Sequence, residues 1–233
     1  MTLKKGVCFL VILVVLTLSW LKVEDLLIRQ SKSVVDEQVW LVQGNQDVYA
    51  HIKVAGTVID YSIAQHPTDD GFYLRHDVKG QASIYGAIFT EKLNKKEFKD
   101  LVTIVYGHST YDGSMFGSLP RFLEATFFKE HQNIVITTRY ERISYEIFAA
   151  YSYTDAYLFE TFNLGNQASV SAYIKTLKGL SDSLGGQYRQ VPYGENDRML
   201  MLSTCDTRDN NRRVIVHAKE TRRELLDDTV ASR

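Results

Sequence analysis

The chain of 233 residues holds two cysteines, and they sit in opposite surroundings. Cys8 falls inside an apolar run from Gly6 to Leu21, whereas Cys205 follows Met201-Leu202-Ser203-Thr204 and precedes Asp206-Thr207, where an apolar strand gives way to polar residues. A thiol at a strand exit is held rigidly yet stays reachable. The small Ser203 and Thr204 leave room there for a bound chain, which makes both candidate substrate-binding positions. As a thiolate, Cys205 is a nucleophile toward carbonyl carbon. After Asp209-Asn210-Asn211, expected as a turn, a second strand from Arg213 to His217 brings the chain back. A guanidinium at Arg213 then lies beside Cys205, able to favour the thiolate or to donate hydrogen bonds to substrate oxygens. Arg212 competes for this assignment. Val105-Tyr106-Gly107-His108 ends another strand in a glycine and a histidine. An imidazole titrating near neutrality can protonate a departing amine and later deprotonate an incoming one, as two-step acyl transfer requires. The other five histidines, His51, His66, His76, His131 and His217, are read as structural or solvated. His217 is the nearest rival, pointing the same way as Arg213 but two pleats deeper.

What a lone thiol means depends on its compartment. Lys4 and Lys5 precede the apolar run, and Ser19-Trp20-Leu21-Lys22 closes it with no small-x-small cleavage pattern. This predicts a retained signal anchor over 1–22, a single pass with the N-terminus inside and the body extracytoplasmic. Cys205 is then alone in an oxidising compartment, where thiols are usually paired or avoided. A formal net charge of -1 excludes nucleic-acid binding by bulk charge. One cysteine without clustered carboxylates offers no ordinary zinc site, so neither metal nor cofactor is expected.

The elements that must position these residues are mostly strands. The 14 tyrosines, 11 phenylalanines and only 3 prolines fit a packed, strand-rich body. After a helical segment over 23–45, β-branched and aromatic runs recur near 51–54, 58–63, 101–106, 134–140, 143–153, 198–204 and 213–219, with no βαβ rhythm. They predict a mainly β fold, a closed barrel of about eight strands over 46–220, followed by a polar tail over 221–233. Ile143, Tyr145, Ile147, Ala149 and Tyr151 alternate as one face of a strand. Two segments read as helices: Ser118 to His131, with Pro120 near its start, and Ser169 to Leu184, ended by Gly185-Gly186.

Taken in order, Tyr106-Gly107-His108, Met115-Phe116-Gly117-Ser118-Leu119, Leu202-Ser203-Thr204-Cys205 and Arg213 resemble the signature blocks of class B sortases. Gly56-Thr57-Val58-Ile59-Asp60-Tyr61 and Gly86-Ala87-Ile88-Phe89 resemble two further blocks, so the likeness runs from about Val39 to Lys219. A long helix between the sixth and seventh strands is also a class B feature. The resemblance implies a sortase-type barrel with Cys205 as nucleophile, His108 as general acid and base, and Arg213 as the residue that holds substrate and supports the oxyanion. It prefers Arg213 to Arg212 because the family spaces its arginine four residues before a strand histidine. Ser109 and Ser62 depart from the family's common asparagine and proline. The implied partners are secreted proteins with a C-terminal sorting signal, cleaved at a threonine, and an acceptor amine from the cell-wall precursor lipid II or a pilin lysine; a monomer is expected. Two other readings are a surface cysteine peptidase with water as acceptor and a non-enzymatic anchored β binding domain.

Overall fold

The computed structural model describes residues 19–20, 22–23, 44–154, 156–206 and 209–226, with backbone alone at 205–206 and 209–211. Ser19, Trp20, Lys22 and Val23 are helical and exposed. The rest of the expected anchor, nearly all of the helical segment over 23–45 and the tail from residue 227 lie outside the described residues. Among the described residues, no helix is long and apolar enough to cross a membrane.

Residues 40–226 form one unit built around a sheet. Its strands are β1 (Val48–Val54), β2 (Asp60–Ala64), β3 (Ile88–Phe89), β4 (Val102–Gly107), β5 (Asn133–Thr138), β6 (Glu141–Thr154), β7 (Gln187–Tyr188), β8 (Met199–Asp206) and β9 (Asp209–Leu225). They run in the order β5-β1-β2-β3-β4-β8-β9-β6, and β6 pairs again with β5. Eight strands therefore close on themselves, which removes the open edges that would otherwise template aggregation. The ninth, β7, pairs with Ala149 and Ala150 of β6, beyond the stretch of β6 that binds β5. The expected mainly β barrel is the observed fold.

Inside the barrel, Ile52, Val105, Ile136, Ile143, Leu200, Leu202, Val214 and Val216 form the main core. A second core lies on the outer face, where Ile104, Phe148, Tyr151, Met199, Met201 and Ile215 meet Val170, Tyr173 and Leu177. These last three belong to α3 (Gln167–Ser183), the inserted helix, whose Asn166 side chain accepts from the Ser169 amide at 3.0 Å as N-cap. Because β8 is buried on both faces, its sequence reads as a continuous Met-Leu-Met-Leu run rather than an alternation.

Four expectations are corrected. A bulge between Ile147 and Ala149 moves Ala149 and Tyr151 to the outer core while Ile143, Tyr145 and Ile147 stay inside, so the five do not share a face. The helix over 118–131 is two pieces, a 3-10 turn at Leu119–Leu123 and α1 (Ala125–Glu130), separated by extended Glu124. Asp209-Asn210-Asn211 belongs to β9, not to a turn, and β9 continues to Leu225, past the expected barrel end at 220. Residues 222–225 pair with Glu141 to Ser144 of β6, and that pairing holds as strand what polarity suggested was tail. The remaining helix, α2 (Leu158–Phe162), precedes α3.

Candidate active site

Three neighbouring strands carry the candidate residues. β4 runs parallel to β8, with Tyr106 beside Ser203 and Gly107 beside Thr204. β8 runs antiparallel to β9, with Cys205 opposite Arg213. His108, the first residue past β4, thus leaves its strand at the rung next to Cys205. With strands about 4.8 Å apart, positions 108, 205 and 213 fit within roughly 10 Å at one end of the barrel.

His108 is half-buried, and its Nε2 lies 2.7 Å from the Leu74 carbonyl oxygen. A carbonyl only accepts, so Nε2 carries the proton, and in the neutral ring Nδ1 keeps its lone pair. Gly86 makes this contact possible. At φ +57 it occupies the left-handed region, and a Cβ there would stand 2.5 Å from the Tyr73 carbonyl and 3.0 Å from His108 Cδ2. Gly107 is equally confined, since its Cβ would meet Ile88 at 2.5 Å and Phe116 at 2.9 Å. The loop after His108 folds back on itself: the Phe116 amide donates to the His108 carbonyl at 2.9 Å, and the Met115 amide donates to the Tyr61 hydroxyl at 3.0 Å. Phe116 and Leu119, fully buried, fasten it to the core. The Met115-to-Leu119 block is therefore the anchor of the histidine loop.

Arg213 and Arg212 part company by strand alternation. Arg212 donates to the Ser152 hydroxyl at 3.0 Å and to the Ser152 carbonyl at 2.7 Å, on β6. Burial raises the pKa of both Glu91 and Tyr106, and the charge of half-buried Arg213 opposes that rise in each. Ser203 and Thr204 are 1% exposed each, inside the sheet rather than on an open surface, and the Ser203 hydroxyl finds no hydrogen-bond partner among the described residues.

His217 does different work. It is fully buried, its Nε2 is 2.7 Å from the Tyr173 hydroxyl, and Tyr173 in turn meets Tyr151 at 2.5 Å. Burial pushes its pKa down to about 3, so the ring is neutral and ties α3 to the sheet. Elsewhere, His51 pairs with Asp60 at 2.9 Å and His131 packs on Phe127. Among the described residues, no three of His, Cys, Asp and Glu are grouped to hold a metal. One acidic group near the site carries no sequence signal: Glu91, just past β3, accepts from the Tyr157 hydroxyl at 2.7 Å. Tyr106, two residues before His108, was within reach of period-two reasoning.

Comparison with known proteins gives relatives over most of the chain. A family model for the sortase domain matches residues 52–221. The chain is 34% identical over 173 residues to Sortase B of Listeria monocytogenes, spanning 74% of this chain and 68% of that protein. It is 28% identical over 179 residues to Sortase B of Staphylococcus aureus, spanning 75% and 70%. A solved Streptococcus pyogenes class B sortase involved in pilus biogenesis superposes with a TM-score of 0.66 at 31% identity, covering 78% of this chain and 96% of that one.

Proposed function

Because this chain belongs to the sortase family, in class B, we propose that it is a membrane-anchored cysteine transpeptidase acting on the C-terminal sorting signal of secreted proteins. The observation that carries the reading is the register that sets His108, Cys205 and Arg213 at one end of three adjacent strands. Alternation gives positions 203, 205 and 213 one face, and His108 follows Tyr106 on that face by the same period.

In the proposed reaction, the Cys205 thiolate attacks the carbonyl carbon of a threonine in the signal. Arg213 and a backbone amide stabilise the oxyanion. His108, carrying on Nδ1 the proton given up by the Cys205 thiol, passes it to the nitrogen as the C–N bond breaks, leaving a thioester on Cys205. An amine of lipid II or of a pilin lysine then attacks that thioester, His108 takes its proton, the C–S bond breaks and the thiolate returns. The apolar run from Gly6 to Leu21 confines the enzyme beside the membrane, where secreted substrate and lipid-linked acceptor are concentrated. Ser203, on the face of positions 205 and 213, contributes small volume beneath the bound threonine, whereas Thr204 points to the opposite face of β8. Pilus assembly, named for the Streptococcus relative, and wall anchoring are the two outlets this chemistry serves.

The test is full-length protein in detergent, incubated with the sorting-signal peptide of a protein encoded beside this gene and a saturating amine. Mass spectrometry should find the peptide cut after threonine and joined to the amine, with Cys205→Ala inert. Hydrolysis alone would make the protein a peptidase, and undiminished product from Cys205→Ala would refute the assignment.

A further inference from the structure

The block from Gly56 to Tyr61 takes no part in the proposed chemistry, yet its last residue touches the loop that carries His108. Tyr61 stands on β2, paired with Ile52 of β1, and its half-buried ring packs against the main core. Its hydroxyl accepts from the Met115 amide at 3.0 Å, 54 positions further along the chain. Residues 108–116 form a hairpin in which Ser109 bridges Met115 and the Phe116 amide donates to the His108 carbonyl at 2.9 Å. The bond to Tyr61 ties the backbone of that hairpin to a barrel strand. Met115 is the residue where such a tie matters. Its φ is +50, left-handed backbone in which a side chain with a Cβ is crowded. The torsions of residue 115 also set the peptide plane that carries the Phe116 amide. Relaxation of Met115 to negative φ would turn that amide away from the His108 carbonyl.

We propose that Tyr61 is a positioning residue for His108: its hydroxyl holds Met115 in left-handed backbone, which keeps the Phe116 amide on the His108 carbonyl and the imidazole at the rung next to Cys205. This rests on the transpeptidase reading and adds to it a residue outside the three proposed catalytic positions. The Leu74 carbonyl fixes the ring of His108 at Nε2, and the Phe116 amide fixes its backbone, so the two contacts restrain different parts of one residue. Burial of Phe116 holds the hairpin near the barrel but leaves the rotation of the 115–116 peptide open. A glycine at 115 would adopt the same φ without crowding, at the loss of a side chain that packs on the main core. Methionine keeps that packing, and the phenol supplies the restraint.

The rival role is packing by the Tyr61 ring alone. Tyr61→Phe separates the two, since it keeps the ring and deletes the hydroxyl. With the peptide and amine assay on full-length protein, well below the unfolding transition, Tyr61→Phe should lower kcat about 10-fold and leave KM within about twofold, because a catalytic group misplaced by about 1 Å loses on the order of 100-fold. In a Met115→Gly background the same change should cost no more than about twofold, because glycine holds φ +50 unaided. Amide exchange followed by NMR supplies a readout independent of turnover: the Phe116 amide should exchange at least 10-fold faster in Tyr61→Phe than in the parent. Parental kcat in Tyr61→Phe, an unchanged Phe116 exchange rate, or a full 10-fold loss persisting in the Met115→Gly background would each overturn the proposal. Failure of the transpeptidase reading shows differently, as a parent protein that joins no peptide to amine, and the Phe116 exchange rate still decides whether Tyr61 holds the hairpin.

Discussion

The imidazole of His108 is placed by a glycine far from it in sequence. Gly86 lets residues 73–74 approach so closely that the Leu74 carbonyl meets Nε2, and this decides which nitrogen is left to exchange protons. Gly86→Ala would force a side chain into left-handed backbone and against the Tyr73 oxygen, a strain of about 1–3 kcal/mol. The expected outcome is a protein that folds with a lower Tm and a kcat reduced at least 10-fold, since misplacing a catalytic group by about 1 Å costs on the order of 100-fold. Unchanged kcat in folded Gly86→Ala would show that the Leu74 contact is irrelevant to the chemistry. His108→Ala itself should abolish transfer while leaving Cys205 open to alkylation by iodoacetamide, monitored by mass.

At the scale of elements, α3 is fixed to the sheet by more than apolar contact. Tyr151, Tyr173 and His217 form a buried polar chain. Tyr173→Phe would strand the His217 nitrogen and is expected to cost about 1–3 kcal/mol of stability, read as a shift of the urea midpoint. The same chain predicts a pH dependence. His217 has a pKa of about 3 in the folded state against about 6.5 unfolded. Below pH 6.5 the unfolded chain takes up a proton that the folded form refuses. Stability is therefore full above that pH and falls as pH drops toward 3, by on the order of 2 kcal/mol at pH 5. His217→Gln should flatten the difference between urea midpoints at pH 7.5 and 5. An equal acid loss in that variant would assign the effect to other groups.

For the whole molecule, the strands and the inserted helix were legible because their apolar residues repeat at periods of 2 and 3.6. The site was legible because its residues fall at strand ends. The bulge at Ile147 was not, since inserting one residue changes face without changing composition. Glu91 was not, since nothing local links it to Tyr157, 66 positions away. Nor was the final turn of β9, where polar residues are held as strand by partners distant in sequence. Arg223 is the fastener there. Its guanidinium binds Glu141 at 2.6 Å and Glu220 at 2.9 Å, and it donates to the Glu97 and Phe98 carbonyls at 3.2 and 2.8 Å. It thereby joins β9, β6 and the segment before β4 at the end of the barrel where β4 begins. The three ionic side chains are only 13–17% exposed, so removing the cation leaves two poorly hydrated carboxylates side by side. Arg223→Ala should cost about 3 kcal/mol, roughly 6–12 °C of Tm for a body of this size. Because β4 delivers His108 at its opposite end, about 20 Å along the strand, kcat at temperatures well below the transition should be unaltered. A variant as thermostable as the parent would show that the pairing of β9 with β6 holds the barrel end by itself.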